Sequence, residues 1–299
     1  MKKIALITTA IALIFSFSAC KKDRIESKNE YQPINDYLDS KKQEEQSFEI
    51  TGPSSDTITG NQGTRLLMGK DCLRFANGDS VSYPFTVKLV ELYTPKDMIY
   101  WQMPTIAAGS LLATDGEIRV RAVKNGEDLV LRPYCYYQTM MPNASPQSDM
   151  RKFYGVDNGT FVDWTDNVAG LGVTTAVAST FSTDAYGYKG DIPLLGWLNC
   201  GKIAGSGGSS IAFTSDTDVL TNVGIFIYFP DTKTVMQVYS SVSGAIPNGS
   251  NVKIILMGMK SPGDMYFYYT ETTINGATTM DVELSSISDA DLTNLLNGL

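Results

Sequence analysis

The stretch EIRVRAVKNGEDLVLRP, residues 117–133, constrains the fold more than any other part of the chain. Ile118, Val120 and Ala122 alternate with Arg119 and Arg121. A strand turns successive side chains to opposite faces, so this pattern predicts a half-buried antiparallel strand. Asn125-Gly126 then reads as a tight turn, and Asn77-Gly78 as another. The same texture starts near Thr51 and recurs in SVSYPFTVKLVELY, NVGIFIYF, TVMQVYSSV, NVKIILMGM and DMYFYYTETTI. NVKIILMGM is apolar almost throughout, which predicts cover on both of its faces. Together these runs predict an all-β chain with a two-part β-sandwich architecture: an N-terminal β-sandwich domain over 51–135, an irregular connecting region over 136–190, and a C-terminal β domain over 191–299. Only the end, SDADLTNLLNGL, predicts a helix. Ser288 caps it with Asp291 three residues on, and Leu292, Leu295, Leu296 and Leu299 form an apolar side expected to dock on the last sheet.

The N-terminus has a different character. MKKIALITTAIALIFSFSAC places Lys2 and Lys3 before an uncharged apolar run over 4–17, then Ser18, Ala19 and Cys20. A membrane-spanning helix needs about 20 apolar residues, so this shorter run reads as a signal peptide over 1–19. FSAC resembles the lipobox of bacterial lipoproteins, with Phe17 in place of the usual Leu. The resemblance implies that Cys20 is acylated, palmitate among the chains, and anchors the protein in the cell envelope, at the outer membrane and facing either the periplasm or the cell surface. Residues 21–50 carry 14 charged side chains of both signs and few large apolar ones, so 20–50 is expected to be a lipidated Cys followed by a flexible charged tether. Removal of residues 1–19 leaves 22 basic against 32 acidic side chains, a net charge of −10. That repulsion argues against nucleic acid as a partner.

The chain contains no histidine, which excludes Ser-His-Asp hydrolysis, Cys-His proteolysis, HExxH zinc sites and facial-triad iron. Carboxylate chemistry survives in principle, with Asp163, Asp166, Asp184, Asp191 and Glu271 as candidates for a glycan-processing pair, but no local motif distinguishes them. Asp216 and Asp218 lie in TSDTDVL, which lacks the pattern of an EF-hand loop, so no metal and no cofactor is expected. Of Cys72, Cys135 and Cys200, at most one pair can join; apolar core filling is the favoured expectation, and the pairing stays open. Trp101, Trp164, Tyr134, Tyr136, Tyr137 and the aromatic run over 266–269 can stack on sugars or peptides where they reach the surface. GWLNCGKI, residues 196–203, fits G-x-x-x-x-G-K, yet Ile203 stands where Mg²⁺ needs Ser or Thr, and AGSGGSS follows in place of a helix. No nucleotide is expected; Trp197 and Cys200 read as core anchors.

Longer strings carry a family likeness. GTRLLMGKDCLRFANGDSV, FTVKLVELYTPKDMI and LLATDGEIRVRAVKNGEDLVL, with DMRKFYG, LLGWLNC and IPNGSNVKIILMG further on, resemble a family of uncharacterised Bacteroidetes envelope lipoproteins with an N-terminal β-sandwich module and a GWxNC landmark. Members continue NC with Asp-Arg, whereas Gly201 and Lys202 follow here. The first module is similar in fold to β-sandwich modules of netrin receptors and ankyrins, which carries no catalytic residues. The expectation is a non-enzymatic, lipid-anchored protein with a binding, adhesion or scaffolding role. The alternatives are a carboxylate-dependent glycan-processing enzyme and a subunit of a surface assembly.

Overall fold

The computed structural model describes residues 27–53 and 57–299; the signal segment, Cys20 and the first residues of the expected tether lie outside the described residues. The protein is an all-β sandwich with a short C-terminal helix. Its largest sheet has eight strands, with Gln46–Ile50, Phe85–Leu92, Ser110–Lys124, Gly196–Gly205, Arg151–Asp157 and Val162–Thr165 in that spatial order. Ile106–Ala107 and Glu127–Asp128 also pair with the long Ser110–Lys124 strand. Alternation works there as the pattern predicts: Ile118, Val120 and Ala122 are buried, while Arg119 and Arg121 stand half-buried on the other face. Asn125 and Gly126 both take left-handed backbone and close the hairpin onto Glu127–Asp128.

One face of this sheet packs on a five-stranded sheet built from Ser182–Thr183, Gly187–Ile192, Tyr137–Pro142, Arg65–Leu67 and Thr57–Thr59. Between them lies a core that includes Leu89, Val120, Leu198, Tyr137 and Tyr188. The other face turns Val90, Leu92 and Phe153 toward three helices, Asn35–Lys41, Pro95–Trp101 and Asp289–Asn297. Phe226, Ile255 and Met257 join that second core from another five-stranded sheet, ordered Thr234–Val238, Gly224–Phe229, Ser250–Ser261, Asp264–Ile274, Ser285–Ile287. The apolar NVKIILMGM strand is covered on both sides: Ile255 and Met257 face the helices, and Ile254 and Leu256 face a third core with Ile211, Phe213 and Val282. The C-terminal helix forms as its sequence predicts. Ser288 Oγ accepts from the Asp291 N–H at 3.1 Å, and Leu292 and Leu296 are buried.

Two expectations are corrected. Residues 27–50 are not a tether but part of the body: Tyr31, Tyr37, Leu38 and Ile50 are buried, and Gln46–Ile50 is an edge strand of the large sheet. Several of the charges that suggest disorder have partners on the fold, with Lys41 Nζ 2.6 Å from Asp289 and Glu45 bridging Lys88 and Arg121 at 3.3 and 3.1 Å. The boundary between an N-terminal domain ending at 135 and a C-terminal domain starting at 191 also falls. Gly196–Gly205 pairs with Ser110–Lys124, and the region over 136–190 supplies strands to two sheets. Hydrogen bonding between strands is blind to sequence distance, so these ladders cross the composition breaks that suggest boundaries.

Candidate functional site

The two arginines of EIRVRAV stand on a face of the long strand that opens into a cleft of about 420 Å³. Arg74 and Arg132 reach the same cleft from another element. Leu73–Arg74 pairs with Val130–Leu131 as a two-stranded ribbon, and a Cys72–Cys135 disulfide ties the ends of that ribbon together. The Arg132 N–H donates to the Cys72 carbonyl at 2.8 Å, which fixes both arginines against one staple. The rest of the wall comes from Leu171 to Thr175 and from the Pro193–Gly196 approach to the GWLNCGKI strand. Four guanidiniums therefore meet in one cleft with a single carboxylate, Asp128.

Their engagement differs. Arg121 makes a forked pair with Asp128, Nε to Oδ1 at 3.0 Å and Nη2 to Oδ2 at 3.1 Å. Arg132 donates to the Leu73 carbonyl at 3.1 Å and to Ser80 Oγ at 2.9 Å. Arg119 lies over the Trp197 ring at 5.7 Å, and Arg74 Nε is buried without a hydrogen-bond partner. Among the described residues, neither Arg74 nor Arg119 has a carboxylate within ion-pair distance. A buried donor with no acceptor is costly, and a planar guanidinium suits carboxylate and sulfate oxygens, so Arg74 and Arg119 are the two cleft arginines whose charge is not spent on a carboxylate. A second cleft of about 260 Å³, near Tyr93, Met98, Tyr228 and Leu296, has its lysines committed: Lys96 to Asn297 and Lys233 to Asp115.

The structure disperses the candidate acids. Asp163 accepts from the Ala108 and Trp164 N–H groups, Asp166 pairs with Arg151, and Asp184 holds a turn through the Tyr186 N–H. Asp191 accepts from Gln138, and Glu271 from Tyr269. Asp218 is buried, and Tyr31 Oη, Asn29 Nδ2, Thr217 Oγ1 and the Leu284 N–H all donate to its carboxylate. Burial alone would push that group up, but these donors hold it below the usual carboxylate range. It is the clasp that fastens residues 29–31 to the body. Asp216, its neighbour in the sequence, stands at the surface outside that clasp.

The aromatic candidates split by burial. Trp164 and Tyr137 are in the core, Trp101 and the run over 266–269 are partly covered by it, and Tyr136 and Tyr134 are 43% and 78% exposed. Cys72 and Cys135 form the disulfide rather than filling the core; Cys200 does fill it and is free. GWLNCGKI is strand throughout, and Lys202 Nζ pairs with Asp149 at 3.0 Å. At Gly201 a Cβ would come within 2.7 Å of the Ala113 carbonyl, so the close approach at this bulge requires glycine.

Comparison with protein families, curated proteins and solved structures finds no match. The cleft is thus read from its own chemistry. The sequence carries two signals of this cleft: two arginines on the same face of one strand, and the strings CLR and RPYC, each of which sets an arginine two or three residues from a cysteine.

Proposed function

We propose that this chain is an exported outer-membrane lipoprotein, anchored through Cys20, whose body binds an anionic ligand in the arginine cleft without catalysis. We group it with the Bacteroidetes envelope lipoproteins that its strings resemble. The observation that carries the binding role is the gathering of four arginines in one cleft, of which, among the described residues, only Arg121 is paired with carboxylates, Asp128 and Glu45, in a chain whose formal net charge is −8. The positive field of the arginines, set against a net acidic chain, draws anions toward the cleft. The Cys72–Cys135 bridge supports export, because disulfides persist in oxidising compartments. Cell labelling with a radioactive fatty acid tests the anchor: wild type takes up label and Cys20→Ser does not, and equal uptake overturns it. Calorimetric titration with dextran sulfate tests the cleft. Arg74→Ala/Arg119→Ala should bind at least about tenfold more weakly, and unchanged affinity in this folded variant removes the assignment.

A further inference from the structure

Tyr134 combines two features that rarely coincide. Its ring is 78% exposed, and its backbone has a φ of +65°. It is the second central residue of a turn that begins at Arg132 and closes where the Cys135 N–H donates to the Arg132 carbonyl at 3.1 Å. Pro133 fills the first central position, and the left-handed conformation at the second is where glycine is the usual choice. A large side chain there carries conformational strain, and this one buries almost nothing in return. The strain is held in place from both sides. Pro133 lines the arginine cleft, the Cys135 carbonyl accepts from Oγ1 of Thr175, another lining residue, at 3.4 Å, and the disulfide pins Cys135 itself. Tyr134 therefore sits directly after the lining residue Pro133, bracketed by two attachments, with its side chain open to solvent.

We infer that Tyr134 is a stacking platform and that the ligand is an acidic polysaccharide, a chain of pyranose rings bearing carboxylate or sulfate groups. This rests on the reading of the cleft as the ligand site and adds to it the nature of the molecule between the charges. Guanidiniums supply forked contacts to the anionic groups. A tyrosine ring offers a flat, amphipathic surface that packs on the C–H face of a sugar ring, which an inorganic anion or a ring-free polyanion cannot use. The strained position keeps the ring in solvent when the cleft is empty, ready to cover the next sugar along the chain.

The test uses two polyanions with the same charged group: dextran sulfate, whose sulfates sit on pyranose rings, and polyvinyl sulfate, which has no rings. Both are titrated by calorimetry into the full chain. Tyr134→Gly removes the ring and relieves the backbone, so the fold is retained; Tyr134→Asn, which also tolerates left-handed backbone, provides a second ring-free variant. Both should lose about tenfold in affinity for dextran sulfate, with polyvinyl sulfate binding held within about twofold, and Tyr134→Phe should bind both polymers as wild type does. If Arg74→Ala/Arg119→Ala weakens both polymers while Tyr134→Gly leaves dextran sulfate binding unchanged, or weakens both alike, the polysaccharide assignment fails and the anion cleft stands. If the arginine variant changes neither polymer, the cleft reading itself fails.

Discussion

Glu91 and Glu117 are both fully buried carboxyl groups, and the fold treats them in opposite ways. Glu91 accepts from Gln46 Nε2 at 2.8 Å and from the Gln62 and Thr64 N–H groups at 2.9 and 2.8 Å, so its oxygens are satisfied by the segments they join. Glu117 accepts from Asn199 Nδ2 at 3.0 Å through one oxygen, and the other has no partner. Burial pushes the Glu117 carboxyl well above its usual range, against the smaller downward pull of the Asn199 amide. A carboxyl raised in the folded state costs nothing below its unfolded value of about 4.3; as pH climbs above that, the unfolded chain ionises and the folded one resists, so stability falls. Glu117→Gln removes this slope. Its melting temperature should match that of the wild type near pH 4 and exceed it increasingly toward pH 8 in a calorimetric pH series; a constant offset across that range would show that Glu117 does not titrate as described.

At the scale of elements, the C-terminal helix illustrates how much a short helix depends on packing. Asp289–Asn297 spans 9 residues, too few to be stable alone, and it holds because Leu292 and Leu296 enter the core beside the helix Pro95–Trp101. Leu296→Ala should cost about 2–5 kcal/mol in urea denaturation, while Leu295→Ala, only half-buried, should cost about 1 kcal/mol or less. Equal costs would mean that the helix is rotated from the orientation described. The same dependence explains why the helix Asn35–Lys41 is hard to recognise beforehand. Ile34, Tyr37 and Leu38 follow helical spacing, but three apolar residues among so many charges look like solvent-exposed chain until the surface that covers them is known.

For the molecule as a whole, the N-terminal segment and the disulfide set how the body holds together. A chain starting at Thr51 lacks the edge strand Gln46–Ile50 and the buried Tyr31, Tyr37 and Leu38, so it should aggregate or unfold, whereas a chain starting at Ser27 should give a cooperative melt like that of the longer chain. A stable, monomeric fragment from Thr51 would contradict the layered core. Cys72 and Cys135 are 63 residues apart, and in the loop-closure account a bridge over that span is worth about 4 kcal/mol. Cys72→Ser/Cys135→Ser should lose stability of that order in denaturant titration and weaken dextran sulfate binding, since the staple positions Arg74 and Arg132.

Local pattern alone determined the long strands outside 27–50 and 136–190, the hairpin at Asn125-Gly126, the double burial of NVKIILMGM and the capped C-terminal helix, because side-chain alternation, turn chemistry and capping are properties of neighbours in the chain. Tertiary structure alone decided which strands share a sheet, that residues 27–50 belong to the body, which cysteines join, and that Arg74, Arg119, Arg121 and Arg132 meet in one cleft. Ladder pairing, disulfide closure and charge convergence depend on distances in space, and those are fixed only when the layers pack.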